Sequence, residues 1–106
     1  MAKLDRVAKL RMGDLRVILT VTEEYDVEGG IKRDGEEDVR FFTLRSFEDF
    51  RGRPAISVTW EKGSFELAKS VPGLIEAIKA LGACLLQQAV DEDGRGWVVI
   101  PTIPTD

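Results

Sequence analysis

The stretch Leu15-Arg-Val-Ile-Leu-Thr-Val21 decides the fold class. Leu15, Val17, Leu19 and Val21 take every second position, and Arg16, Ile18 and Thr20 stand between them. This is the period of a strand that buries one face and shows the other. Towards the N-terminus, Val7 to Met12 alternate as well, and Gly13-Asp14 separate them from Leu15. A glycine first in a two-residue loop suits a type II′ hairpin. A short helix from Lys3 to Leu10 is the competing reading of that segment.

Towards the C-terminus, Asp26 to Asp38 scatters Gly29, Gly30 and Gly35 among charges and reads as a mobile loop. Val39 to Arg45 resumes the alternation, with Phe42 and Leu44 inward and Phe41, Thr43 and Arg45 outward. Pro54 to Glu61 forms the next strand, with Ile56, Val58 and Trp60 inward and Ala55, Ser57 and Thr59 outward. Lys62-Gly63 then turn into a short strand, Ser64 to Lys69, that puts Phe65 and Leu67 on the core side.

Ser70 is a natural N-cap, Pro72 is tolerated in a first turn, and Leu74, Ile75, Ile78, Leu81 and Leu85 recur at helical spacing. Gly82 could cap this helix, although continuation to about Ala89 is favoured because Ala83 to Ala89 is rich in helix formers. Asp91 to Gly96 reads as a turn, and Trp97 to Ile100 as a last strand or extended arm closed by Pro101 and Pro104. The expected fold is α+β: a twisted antiparallel sheet of four or more strands on one main amphipathic helix, in a single domain spanning 1–106, with a C-terminal arm over 97–106. Ile18-Leu-Thr-Val-Thr-Glu-Glu faintly echoes Ile56-Ser-Val-Thr-Trp-Glu-Lys, which shared strand chemistry explains without duplication.

The 106 residues fit one core, and no stretch approaches a membrane span. Charges interrupt the apolar residues of MAKLDRVAKLRMG, so no secretory signal is expected and the cytoplasm is the expected compartment. Cys84, the single cysteine, sits between Ala83 and Leu85 and reads as a reduced, buried, inert thiol. Histidine is absent, which removes the usual base, the usual orienter of a nucleophile and the commonest transition-metal ligand. The carboxylate clusters Glu23-Glu24, Glu36-Glu37-Asp38, Glu48-Asp49 and Asp91-Glu92-Asp93 fit solvated turns better than a hydrolase pair. Asp91-Glu-Asp-Gly lacks the full spacing and closing glutamate of a calcium loop, and Gly29-Gly30 does not match a phosphate loop. Enzymatic activity, a cofactor and a metal are therefore not expected.

A net charge of −4 argues against coating nucleic acid by bulk electrostatics, but the charge is uneven. Residues 1–16 are locally basic, 23–38 strongly acidic and 39–69 mildly basic. Arg40-Phe-Phe-Thr-Leu-Arg45, Phe47, Phe50-Arg-Gly-Arg53 and Trp60 supply the aromatics and cations that hold single strands by stacking and backbone tracking. The bland alternative makes Phe42, Phe47 and Trp60 core, with solvated arginines around them.

The stretch from Val39 to Leu81, with its turn Phe50-Arg-Gly-Arg53 and its helix Pro72-Gly-Leu-Ile-Glu-Ala-Ile, resembles the PC4 and Pur-alpha group of single-stranded nucleic-acid-binding domains. In that group a basic-Gly-basic turn follows an aromatic-bearing strand, and the helix packs under the sheet and builds a dimer. The resemblance implies a homodimeric module for single-stranded DNA or RNA, with a role in transcription regulation and no membrane partner. Arg16, Arg45, Arg51 and Arg53 would then meet phosphates, and Phe41 and Phe50 would stack on bases. Two departures stand out: the chain is acidic where the group is basic, and Ala55, Ser57 and Thr59 offer no stacking platform. The rival expectation is a protein-interaction module of the same fold that uses a sheet edge or the apolar arm Trp97 to Ile103.

Overall fold

The structure is a computed structural model and describes residues 6–98, 100 and 101. Five strands, β1 (Val7–Met12), β2 (Leu15–Val21), β3 (Val27–Arg33), β4 (Arg40–Glu48) and β5 (Pro54–Trp60), precede two helices, α1 (Ser64–Lys69) and α2 (Leu74–Asp93). The strands form one antiparallel meander in the order β1-β2-β3-β4-β5. Both helices pack on one face of it, so the fold is α+β as the periodicities predict. None of the helices among the described residues is long and apolar enough to cross a membrane.

The alternation in β2 is realised without exception: Leu15, Val17, Leu19 and Val21 are buried, while Arg16, Ile18 and Thr20 are exposed. Gly13 has φ 58 and Asp14 stays out of the left-handed region, which suits the type II′ turn and leaves Val7–Met12 a strand rather than a helix. The echo between the Ile18 and Ile56 segments is out of phase. Ile18 points outward, whereas Ile56 lies on the core side, so the two segments share composition and not a structural role.

The expected mobile loop over 26–38 is largely a strand. β3 pairs along its whole length with β2 and over Val27 to Ile31 with β4, and Val27, Gly29 and Ile31 form its buried face. Gly29 lies directly opposite Phe42, and a Cβ at Gly29 would run into the Phe42 ring. The aromatic ring thus covers the strand that glycine leaves bare, and meets the Trp60 ring at a tilt with the ring centres 5.1 Å apart. Within it, only Asp26 and Asp34 to Asp38 remain outside strands.

Three expectations at the helices are also corrected. Ser64 to Lys69 is a helix and not a strand: it buries Ser64 and Ala68, leaves Leu67 half-buried and Phe65 exposed, and has the Ser64 hydroxyl donating to the Glu61 carbonyl at 2.7 Å. Ser70 closes α1 by donating its hydroxyl to the Leu67 carbonyl at 2.6 Å, so Gly73, with φ 83, takes the N-cap of α2. α2 runs through Gly82, past Ala89, to Asp93, where Gly94 (φ 67) caps it; Asp91 to Asp93 are its last turn rather than a loop. An interior glycine costs a helix about 1 kcal/mol. Here a Cβ would come within 3.0 Å of Leu44, so Gly82 is what lets helix and sheet approach.

Leu74, Ile78, Leu85, Leu86, Ala89 and Val90 of α2 meet Leu15, Val17, Leu19, Val27, Ile31, Phe42 and Leu44 of the sheet in one core. Burial of each larger side chain contributes about 1.5–3 kcal/mol. Cys84, expected in the core, is exposed on the opposite side of α2. The C-terminal strand is not formed at Trp97 and Val98, which lie in a turn where the Val98 amide donates to the Arg95 carbonyl at 2.9 Å; Trp97 is 70% exposed. The rest of the expected arm, apart from Ile100 and Pro101, lies outside the described residues.

Replacing Gly29 by alanine forces the Phe42 ring off the strand. Overpacking of this kind costs about 2–3 kcal/mol. Urea unfolding of Gly29→Ala is expected to show a midpoint lowered accordingly, with an unchanged slope.

Candidate functional site

The pairing registers lay out the outer face of the sheet row by row. Arg11 lies opposite Arg16, and Arg16 opposite Lys32. The next row runs Lys9, Ile18, Gly30, Phe41, and the one after it Val7, Thr20, Glu28, Thr43, Thr59. Beyond these, Arg45 faces Ser57 and Phe47 faces Ala55. Cross-strand partners share a face, so each row is a line of neighbouring side chains.

Three cations in one row repel one another, and like charges directly opposite destabilise a sheet. Asp34, just past β3, offsets part of this. Its carboxylate accepts from Arg11 Nη2 at 2.7 Å and pairs with Arg16 Nε at 2.9 Å. Lys9 and Lys32 make no ion pair among the described residues.

Next to this row lies an open hollow of about 440 Å³. Gly30 forms its floor, Ile18, Val39 and Phe41 give it apolar walls, Arg16 and Lys32 stand at one end, and Thr20 and Glu28 at the other. The hollow exists because Gly30 carries no side chain: a Cβ there would stand 3.0 Å from Val39 Cγ1. Ile18 and Phe41 flank it from the strands on either side, about 10 Å apart. Both are apolar and about half exposed, at 47% and 55%.

Of the six residues singled out from sequence, the structure brings Arg16 and Phe41 together at this hollow. Arg45 lies four residues further along β4, roughly 13 Å from Phe41, and its Nε pairs with Asp26 at 3.4 Å. Phe50, Arg51 and Arg53 sit in the β4–β5 turn, beyond the far end of a strand roughly 25 Å long. They form a second cluster rather than part of the first.

That turn is organised by Asp49. Its carboxylate accepts the backbone amides of Arg51 (2.8 Å) and Arg53 (2.9 Å) and pairs with Arg53 Nε at 3.2 Å, while Gly52 takes φ 73. Arg53 therefore serves the turn. Phe50 is 91% exposed, with the Arg51 guanidinium 5.3 Å from its ring centre. This leaves Phe50 and Arg51, together with half-exposed Phe47, as the accessible groups at this end.

Sequence reading passes over Lys9, Ile18, Gly30 and Lys32. The last two fall in the strongly acidic stretch that reads as a mobile loop, whereas β3 places them beside the cation row on the sheet. The signal was available as the two-residue alternation of Val27, Gly29 and Ile31. No protein-family model, no curated protein and no solved structure matches this chain.

The amides donated by Arg53 and Arg51 hold the Asp49 carboxyl below its ordinary value of 3.8, with the Arg53 guanidinium adding to the effect. A depressed carboxyl pKa adds order that is complete above the unfolded value near 4 and fades as the pH falls through the lower folded value. In an NMR titration the Arg51 and Arg53 amide shifts are therefore expected to move together with a midpoint below 3.8. Both movements are expected to vanish in Asp49→Asn.

Proposed function

We propose that this chain is a single-stranded nucleic-acid-binding module that uses the outer face of its sheet. The observation that carries the reading is the cation row Arg11, Arg16 and Lys32 beside the hollow floored by Gly30 and walled by Phe41 and Ile18. Stacking on an aromatic and backbone tracking by cations are the two contributions that hold single strands without sequence readout. Phe41 supplies the first, and Arg16 and Lys32 the second. Along β4 the face continues through Arg45 and Phe47 to Phe50 and Arg51, giving a track with aromatics at both ends.

The acidic net charge is compatible with this role because its acids are spatially sorted. Asp34 occupies Arg11 and Arg16 as a phosphate would, and a ligand phosphate displaces it by offering the same charge-assisted bonds. Regulation of transcription and assembly as a homodimer, both implied by the resemblance to the PC4 and Pur-alpha group, belong to the same proposal.

A second reading, a protein-interaction module, draws on a different observation. The core side of the edge strand β5 is only partly covered: Ile56, Val58 and Trp60 are half-buried, and Phe65, 5.8 Å from Trp60, is exposed. An open edge with an apolar rim fits strand addition by a second copy or a protein partner.

Fluorescence anisotropy of a labelled mixed-sequence single strand tests the first reading. Micromolar or tighter binding is expected at low salt, falling with a log–log slope of about −0.7 for each phosphate contacted. Phe41→Ala is expected to lose about 1–3 kcal/mol of affinity, one stacked base. Arg16→Ala should flatten the salt slope, while Arg53→Ala should act mainly through the turn. Absence of binding even at low salt overturns the reading and directs attention to the β5 edge.

In the same assay Asp34→Asn is expected to tighten binding several-fold at low salt, since Arg11 and Arg16 then lose their internal partner. The gain should shrink as salt screens the removed charge. Unchanged affinity in Asp34→Asn would show that ligand phosphates do not use these two arginines.

A further inference from the structure

The hollow over Gly30 has a direction. Arg16 and Lys32 mark one end, and Glu28, four residues back along β3 and so about 13 Å from Lys32, marks the other. Glu28 is exposed, lies between Thr20 and Thr43 in its row, and has no ion pair or side-chain hydrogen bond among the described residues. Every other feature of the hollow is apolar, hydroxyl-bearing or cationic. A lone carboxylate is out of place in a site that only tracks phosphates, because it repels them. It fits a site that also reads what lies at the far end of a stacked nucleotide.

We propose that Glu28 selects the base held at this hollow, favouring bases with an exocyclic amino group (cytosine, adenine, guanine) over thymine and uracil. The inference rests on the nucleic-acid reading above. A base stacked on Phe41 with its phosphate at Arg16 and Lys32 turns its pairing edge towards Glu28. An ionised carboxylate only accepts hydrogen bonds. An amino group on that edge satisfies it, as a carboxylate accepts from the cytosine amino group in duplex recognition. The same edge of thymine or uracil presents two carbonyl oxygens around a single N–H, so the carboxylate meets lone pairs. Thr20 and Thr43 can donate or accept, so they tolerate either arrangement and leave the choice to Glu28.

The test is anisotropy titration of wild type and Glu28→Gln with labelled oligo(dC), oligo(dA) and oligo(dT) of equal length, at neutral pH and one fixed salt concentration, with circular dichroism to verify folding. Wild type is expected to bind oligo(dC) and oligo(dA) about tenfold more tightly than oligo(dT), the discrimination of one good base contact. The Gln amide both donates and accepts, so Glu28→Gln is expected to bring the three within about twofold, chiefly by improving oligo(dT). The change in ratio between the two proteins is the readout, since differences in base stacking alone are common to both. Equal binding of oligo(dC) and oligo(dT) by wild type, or a preference that survives Glu28→Gln, overturns the role of Glu28 and leaves the nucleic-acid reading standing. Failure of all three oligonucleotides to bind wild type overturns both.

Discussion

The packing of Phe42 over Gly29 is the constraint on which the rest of the structure depends. With no side chain at Gly29, the Phe42 ring covers the middle strand of the sheet, buried and in tilted contact with Trp60. This compensates a strand that glycine would otherwise weaken in entropy and in packing. It also fixes register: a slip of one residue would turn Phe42 to solvent and Phe41 to the core. The hollow follows from that register, which sets Gly30 opposite Phe41, while the β2–β3 register sets Lys32 opposite Arg16 in the cation row beside it.

The two neighbouring glycines thus do opposite work on opposite faces. Gly29 is filled from within by Phe42, and Gly30 is left open outside between Ile18 and Phe41. The helix side shows a related economy at Gly82, where the lack of a side chain admits Leu44. At the far end of α2, Asp93 gathers Arg6, whose Nη1 donates to it at 2.8 Å, and the Tyr25 hydroxyl, which donates at 2.6 Å. Tyr25 occupies the left-handed region at φ 62, an uncommon place for a bulky residue, and the bond to Asp93 ties that turn to the helix end.

Electrostatics divides the molecule more finely than its net charge suggests. The acids of the β3–β4 connection do not surround the cations evenly: Asp34 folds back onto Arg11 and Arg16, while Glu36, Glu37 and Asp38 stay exposed. Asp26 takes Arg45 and Asp49 takes Arg53. Exposed pairs of this kind contribute little stability, about 0–1 kcal/mol each. Their larger effect is to set which cations a ligand meets without competition: beside the hollow these are Lys9 and Lys32 rather than Arg16, and at the β4–β5 turn Arg51 rather than Arg53.

Sequence by itself determined the strands whose apolar residues alternate cleanly, β2, β4 and β5, and the helix stripe that begins at Leu74, and it favoured the II′ turn at Gly13 and continuation of the helix past Gly82 over their alternatives. Those features depend on local period and turn chemistry, which a chain carries in its own order of residues. It also marked Arg16 and Phe41 as candidates. Only tertiary structure decided that Val27–Arg33 is a strand, because two glycines and several charges look like a loop until Phe42, thirteen residues beyond Gly29, covers the gap. The same holds for Ser64–Lys69, where alternation suggested a strand but burial of Ser64 and Ala68 against the sheet made a helix, and for Ser70, drawn off to close α1. The separation of Phe50, Arg51 and Arg53 from Arg16 and Phe41 was likewise beyond local reading. Distance across a sheet is set by pairing between strands, and pairing is a property of the whole fold.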